Sequence, residues 1–206
     1  MKLKAKPKPR GRPRAYDPET ALRRARDAFW RDGYVGTSID ALATAMDMNR
    51  PSIYAAFGDK EALYANAAAR YGRTSREALA LALAAPGPLR EVLRNVYRGA
   101  AEFYLAGEDS PRGCFLVGTA LTEARRDREL RKLLETTFES FTDLFTERFE
   151  RAARSGELSP LSPRALAHLA TAALTNLSLR ARTGAKRKVI DGLIEATVDV
   201  ICAPAI

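Results

Sequence analysis

The run Asn49-Arg50-Pro51-Ser52-Ile53-Tyr54-Ala55 puts a strong helix-capping amide ahead of a guanidinium, a hydroxyl, a phenol and a methyl. Ile53 and Phe57 lie one helical turn apart and share a face, which leaves Arg50, Pro51, Ser52, Tyr54 and Ala55 outside. A guanidinium can bind guanine through two hydrogen bonds, and a methyl can pack on thymine. Lys60 falls in the first turn of the next helix, where free N–H groups and the dipole already favour an anion. A second set, Lys8-Pro9-Arg10-Gly11-Arg12-Pro13-Arg14, alternates cations with residues that keep a chain extended. It has the form of an AT-hook, in which Arg10, Arg12 and Arg14 enter the negative potential of a minor groove. The plainer alternative is a non-specific basic tail. Both sets are chemistry for gripping a nucleic acid.

The elements that must carry these residues are helices. Ile39, Leu42, Ala43 and Met46 fall at i, i+3, i+4 and i+7, with Thr37 as cap and Asp40 completing a capping box. The pattern stops at Met46-Asp47-Met48 and restarts at Asn49, so two short helices flank a tight turn: a helix-turn-helix. Ahead of it, Asp17 caps a helix with Pro18 at its first position, with Ala21, Leu22, Ala25, Ala28 and Phe29 inward and Gly33 at its end. Gly58 closes the second short helix, and Asp59 starts a longer one that runs to about Ala85.

The net charge of +9 is uneven: residues 1–15 hold seven cations and no acid, leaving two net charges for the rest of the chain. That segment has nothing to bury and is expected to be disordered in isolation. A neutral body with a basic arm suits a polyanionic partner. Two cysteines do not suggest a disulfide framework, one histidine rules out most histidine-based metal sites, and no cofactor is expected. No apolar run approaches the roughly 18 residues of a membrane span, and the N-terminus lacks a secretion-signal core, so no membrane association and a cytoplasmic location are expected.

Residues 10–71 resemble the DNA-binding domain of the TetR/AcrR family of transcriptional regulators. The resemblance rests on RGRP at 10–13, FWRDGYVGTS at 29–38 and PSIYAAFGDKEALY at 51–64, with the spacing between them. It implies that Thr37, Tyr54 and Lys60 hold DNA phosphates. On the residues alone Thr37 is equally a helix cap, and Tyr54 could be a core tyrosine. Two positions depart from the family. Asp47 stands in the turn where glycine is usual, and aspartate tolerates a left-handed backbone better than most residues. Pro51 stands where many members carry glycine, and proline in a first helical turn loses no needed hydrogen bond.

Everything after Pro86 also reads helical: 89–106, 113–125, 127–155 with a phenylalanine stripe, 163–182 and 186–202. The expected organisation is all-α with about nine helices: a basic arm (1–15), a three-helix DNA-binding domain (16–62) and a ligand-binding and dimerisation domain (63–206). Leu166, Leu169, Ala173 and Leu177 on one helix, with Ile190, Leu193, Ile194, Thr197, Val198 and Ile201 on the last, predict pairing with a second copy into a four-helix bundle. Candidates for an effector pocket are Phe103, Tyr104, Cys114, Phe115, Phe138, Phe141, His168 and Asn176, each of which also reads as ordinary core. Cys114 follows Arg112 and Gly113 in a segment similar to one in copper- and electrophile-responsive members. It is either a sensor thiol or a small buried hydrophobe. His168 has no nucleophile partner and there is no glycine-rich phosphate loop, so no enzymatic activity is expected. Two readings follow: a homodimeric repressor released from double-stranded operator DNA by a small molecule, or an effector-independent architectural DNA-binding protein.

Overall fold

The structure, a computed structural model, describes residues 16–107 and 110–202. The basic arm, with Arg10, Arg12 and Arg14, lies outside the described residues. Among the described residues nine α-helices follow in order: α1 Pro18–Gly36, α2 Ile39–Met46, α3 Arg50–Phe57, α4 Lys60–Leu83, α5 Leu89–Leu105, α6 Leu121–Glu123, α7 Arg128–Arg154, α8 Pro163–Arg182 and α9 Arg187–Ile201. Among the described residues there is no strand beyond one bridge between Leu158 and Cys202.

Side-chain caps set most of the starts. Asp17, Asn49, Asp59, Asp127 and Ser162 each accept a backbone N–H from the first turn that follows. The start of α2 differs from expectation: its cap is Ser38, whose Oγ accepts from Ala41 N at 3.1 Å. Thr37 instead donates to the carbonyl of Gly33 at 2.6 Å and is fully buried. Gly33, at φ 74°, breaks α1 one turn before its nominal end, and that bend brings Thr37 underneath. Asp47 takes the left-handed conformation at φ 55°, as the turn requires.

The expected helix over 113–125 forms only in part. A π-helical turn, Leu116–Ala120, runs into the three-residue α6. Gly113 sits at φ 64°, and a β-carbon there would lie 2.9 Å from the carbonyl oxygen of Ser178 on α8, so the segment hugs α8 too closely to start as a regular helix.

Packing divides the body into two cores. One, rich in aromatic rings, joins α1–α3 and the first half of α4 to residues 114–134. The other, largely aliphatic, joins the end of α4 to α5, α8, α9 and the second half of α7. Helix α4 contributes Leu63, Tyr64 and Tyr71 to the first and Leu79 and Leu83 to the second, so packing does not break at residue 62.

The stripe assigned from sequence to a dimer belongs mostly to the second core. Leu166, Ala173, Leu177, Ile190, Ile194, Val198 and Ile201 are buried within the chain itself, while Leu169 remains exposed. The strongest hydrophobes of α8 and α9 fill their own chain's interior, and a milder apolar face is left outside.

Candidate nucleic-acid interface and adjoining cavity

Helix α3 is anchored by Ile53, which is fully buried, with Phe57 half-buried behind it. Five further residues stand on the other side. Arg50, Pro51, Tyr54 and Ala55 are exposed and Ser52 half-exposed, so the five residues share one open face. Tyr54 keeps 49% of its surface and is not a core residue. Pro51 occupies the first turn, where its missing N–H costs nothing. The guanidinium of Arg50 is held by the carboxylate of Asp40 in the first turn of α2, through Nε and Nη2 to the two carboxylate oxygens.

Lys60 opens α4, and its Nζ lies 4.4 Å from the centre of the Tyr34 ring. Cation–π contact holds the ammonium at the helix start without using its N–H donors. Burial, reinforced by nearby acids, raises the Tyr34 phenol above its ordinary pKa, so the ring stays neutral beneath the lysine. Thr37 does not join this surface. Its hydroxyl is buried and already donates to Gly33, so the threonine locks the α1–α2 turn and presents nothing to a phosphate.

A chain of rings leads from Lys60 into the body. Tyr34 meets Tyr64 at 5.0 Å, Tyr64 meets Phe115 at 5.6 Å, and Phe115 meets Tyr71 at 5.7 Å. Tyr64 donates to Thr119 at 2.8 Å, and burial lifts its pKa to about 12. Trp30 of α1 packs edge-on against Tyr71 at 5.2 Å and donates from Nε1 to the carbonyl of Arg112 at 2.8 Å.

Beyond Tyr71 lies a cavity of about 390 Å³ between α4 and α5. Of the sequence candidates, Phe103, Tyr104 and Phe141 line it. Cys114 and Phe115 sit behind Tyr71, whose hydroxyl donates to Cys114 Sγ at 3.5 Å. Phe138 packs against Phe141 at 6.0 Å and is absent from the wall. His168 and Asn176 are exposed on the outer face of α8, where Asn176 accepts from Arg180 at 2.7 Å. Their place on that helix turns them away from the cavity. Sequence reasoning missed Thr74 and Ser75 of α4, Asn95 of α5 and, above all, Arg26 of α1. The available signal was small or polar residues four apart on helices that face each other: Thr74, Ala78 and Ala82 against Asn95 and Gly99. Cys114 is buried, and that burial raises its thiol pKa.

A helix-turn-helix whose second helix stands open, seated on a helical body, defines a DNA-binding transcriptional regulator. Comparison with known proteins agrees. A sequence model of the bacterial regulatory proteins of the tetR family matches residues 21–67. A cysteine-substituted form of the regulator CifR, solved in complex with 26-bp operator DNA, is 33% identical, with 91% of this chain and 98% of that chain covered at a TM-score of 0.79. The transcriptional repressor ComR of Escherichia coli is 28% identical over 86% of this chain and 85% of its own. An uncharacterized regulator of Bacillus subtilis, YezE, is 28% identical over 72% of this chain and 76% of its own. The chain belongs to the TetR family of transcriptional regulators. No described helix is long and apolar enough to cross a membrane.

Proposed function

We propose that this protein is a homodimeric cytoplasmic repressor whose hold on its operator is weakened by a small molecule in the α4–α5 cavity. The observation that carries the reading is that α1, the helix on which the helix-turn-helix is seated, supplies Arg26 to the cavity wall. The guanidinium of Arg26 also lies over Trp30, 5.5 Å from its ring. A molecule in the cavity therefore touches the DNA-reading unit directly. Occupancy that favours one placement of α1 lowers DNA affinity by the difference in its binding free energy to the two arrangements.

In this reading Arg50, Pro51, Ser52 and Ala55 meet base edges, Tyr54 and Lys60 hold phosphates, and Arg10, Arg12 and Arg14 follow a neighbouring minor groove. The second copy packs on the open face of α8 and α9, where Leu169, Leu179, Val189 and Val200 are exposed. Among the described residues Arg26 is the one charged residue on the cavity wall, and its guanidinium is already paired with the Asp27 carboxylate at 2.6 Å, so the mostly apolar wall favours a neutral effector over an organic cation. Repression is supported by the likeness to ComR.

The test is to select operator DNA from genomic fragments, then to screen compounds for a rise in Tm and for release of that operator. At least one compound should do both, and Phe103→Trp, which narrows the cavity, should blunt both effects. Compounds that bind in the cavity without altering DNA affinity would leave an effector-independent DNA-binding protein.

A further inference from the structure

Arg50 begins a helix whose N-terminal dipole repels a cation, so an anion is needed beside it. Asp40 supplies one: with Ser38 as the cap of α2 it stands one residue short of the position that closes a capping box, and both of its carboxylate oxygens accept from Arg50. The two side chains are exposed, with 56% and 65% of their areas open, so the pair contributes little to stability. Its effect is on direction. Asp40 takes the Nε–H and one Nη2–H of Arg50. That leaves the end-on edge, Nη1 and the second Nη2 hydrogen, which is the edge able to span O6 and N7 of guanine. A carboxylate at this place also repels phosphate and so discourages Arg50 from settling on the DNA backbone.

We propose that Asp40 is a positioning residue for sequence reading: it steers Arg50 onto a base edge and gives up general DNA affinity in return for selectivity. The inference rests on Arg50 as a base reader. It concerns a residue that touches no DNA base itself.

The experiment measures binding of the full-length dimer across an operator library and to non-operator DNA at several salt concentrations. Parent, Arg50→Ala, Asp40→Ala and Asp40→Asn are compared. Arg50→Ala should relax preference at one operator position. Asp40→Ala should relax the same position by about threefold or more, a fraction of what a bidentate contact provides. It should also raise affinity for non-operator DNA and steepen the salt dependence by about one unit of slope, as the freed guanidinium finds a phosphate. Asp40→Asn keeps the side chain's shape, removes its charge and should give the same changes, so a folding defect in the alanine variant does not decide the outcome. Unchanged preference at that position, or equal weakening of operator and non-operator DNA, would overturn the assignment of Asp40. If Arg50→Ala relaxes no position at all, the base-reading role of Arg50 fails first and this inference falls with it.

Discussion

Two of the helix faces that the chain's own packing leaves open differ in kind. On α3 the open residues are Arg50, Pro51, Ser52, Tyr54 and Ala55, a cation and two hydroxyls spread over two turns. On α8 they include Ala165, Leu169, Ala172 and Leu179, small and apolar along four turns, with His168 and Asn176 beside them. The first offers hydrogen bonds and charge to a polyanion. The second gains only by meeting another apolar surface. What remains exposed after the core is filled, and not hydrophobicity along the chain, distinguishes the two partners.

The strongest way to break this comparison is on α8 and α9. Ile194 is 1% exposed within the chain's own core. Ile194→Asp leaves an unpaired charge there, at a cost on the order of 3–5 kcal/mol, against a total stability of roughly 5–15. The variant should lose most of its helical circular dichroism near 37 °C. Leu179 is 55% exposed, so Leu179→Asp should remain helical yet run as a monomer in light scattering and lose tight operator binding. If Leu179→Asp stays dimeric, the outer face of α8 is not the interface.

A smaller effect separates roles within the reading head. Arg50→Ala should cost about 1–3 kcal/mol on the operator and relax one base position. Lys60→Ala should weaken all sequences alike and flatten the salt dependence by about one unit of slope, as expected if the lysine holds a phosphate as proposed. Binding isotherms across an operator library at several salt concentrations measure both. Identical behaviour of the two variants would erase the distinction between base and phosphate contacts.

The head was legible from sequence because a two-turn helix with one anchoring face fixes which side chains point out. Asn49 as cap, Asp47 in a left-handed turn and Ile53 inward all follow from local chemistry. Thr37 was misplaced because Thr37 and Ser38 are adjacent residues that can both cap a helix, and the bend at Gly33 buries the first and leaves the second at the cap. The cavity was legible only in part. Phe103, Tyr104 and Phe141 mark it by size, whereas Arg26 enters from a helix 45 or more residues away from the rest of the wall, a matter of tertiary packing. His168 and Asn176 failed for a related reason: a polar residue on an apolar helix marks a pocket or an outer face equally well, and periodicity alone does not say which side is inside.

The smallest effect is expected at Cys114, which bears on whether the aromatic core answers to oxidants or electrophiles as well as to a ligand. Its thiol is buried, with the Tyr71 hydroxyl donating to Sγ at 3.5 Å and its own N–H donating to Ser178 at 2.7 Å. Burial raises its pKa, and thiolate is the form that reacts. A raised value means that the folded state keeps its proton where the unfolded chain loses it. Stability from this group is therefore intact below the ordinary thiol range, near 9, and declines as pH climbs from there toward the folded value. At pH 8, iodoacetamide should label Cys114 in the native protein at least about tenfold more slowly than in urea, because both access and ionisation are suppressed. The same brief treatment should leave operator affinity unchanged. Labelling of the native thiol as fast as in the unfolded chain, together with release of DNA that Cys114→Ser resists, would mean that the core opens on its own and that this cysteine is a sensor.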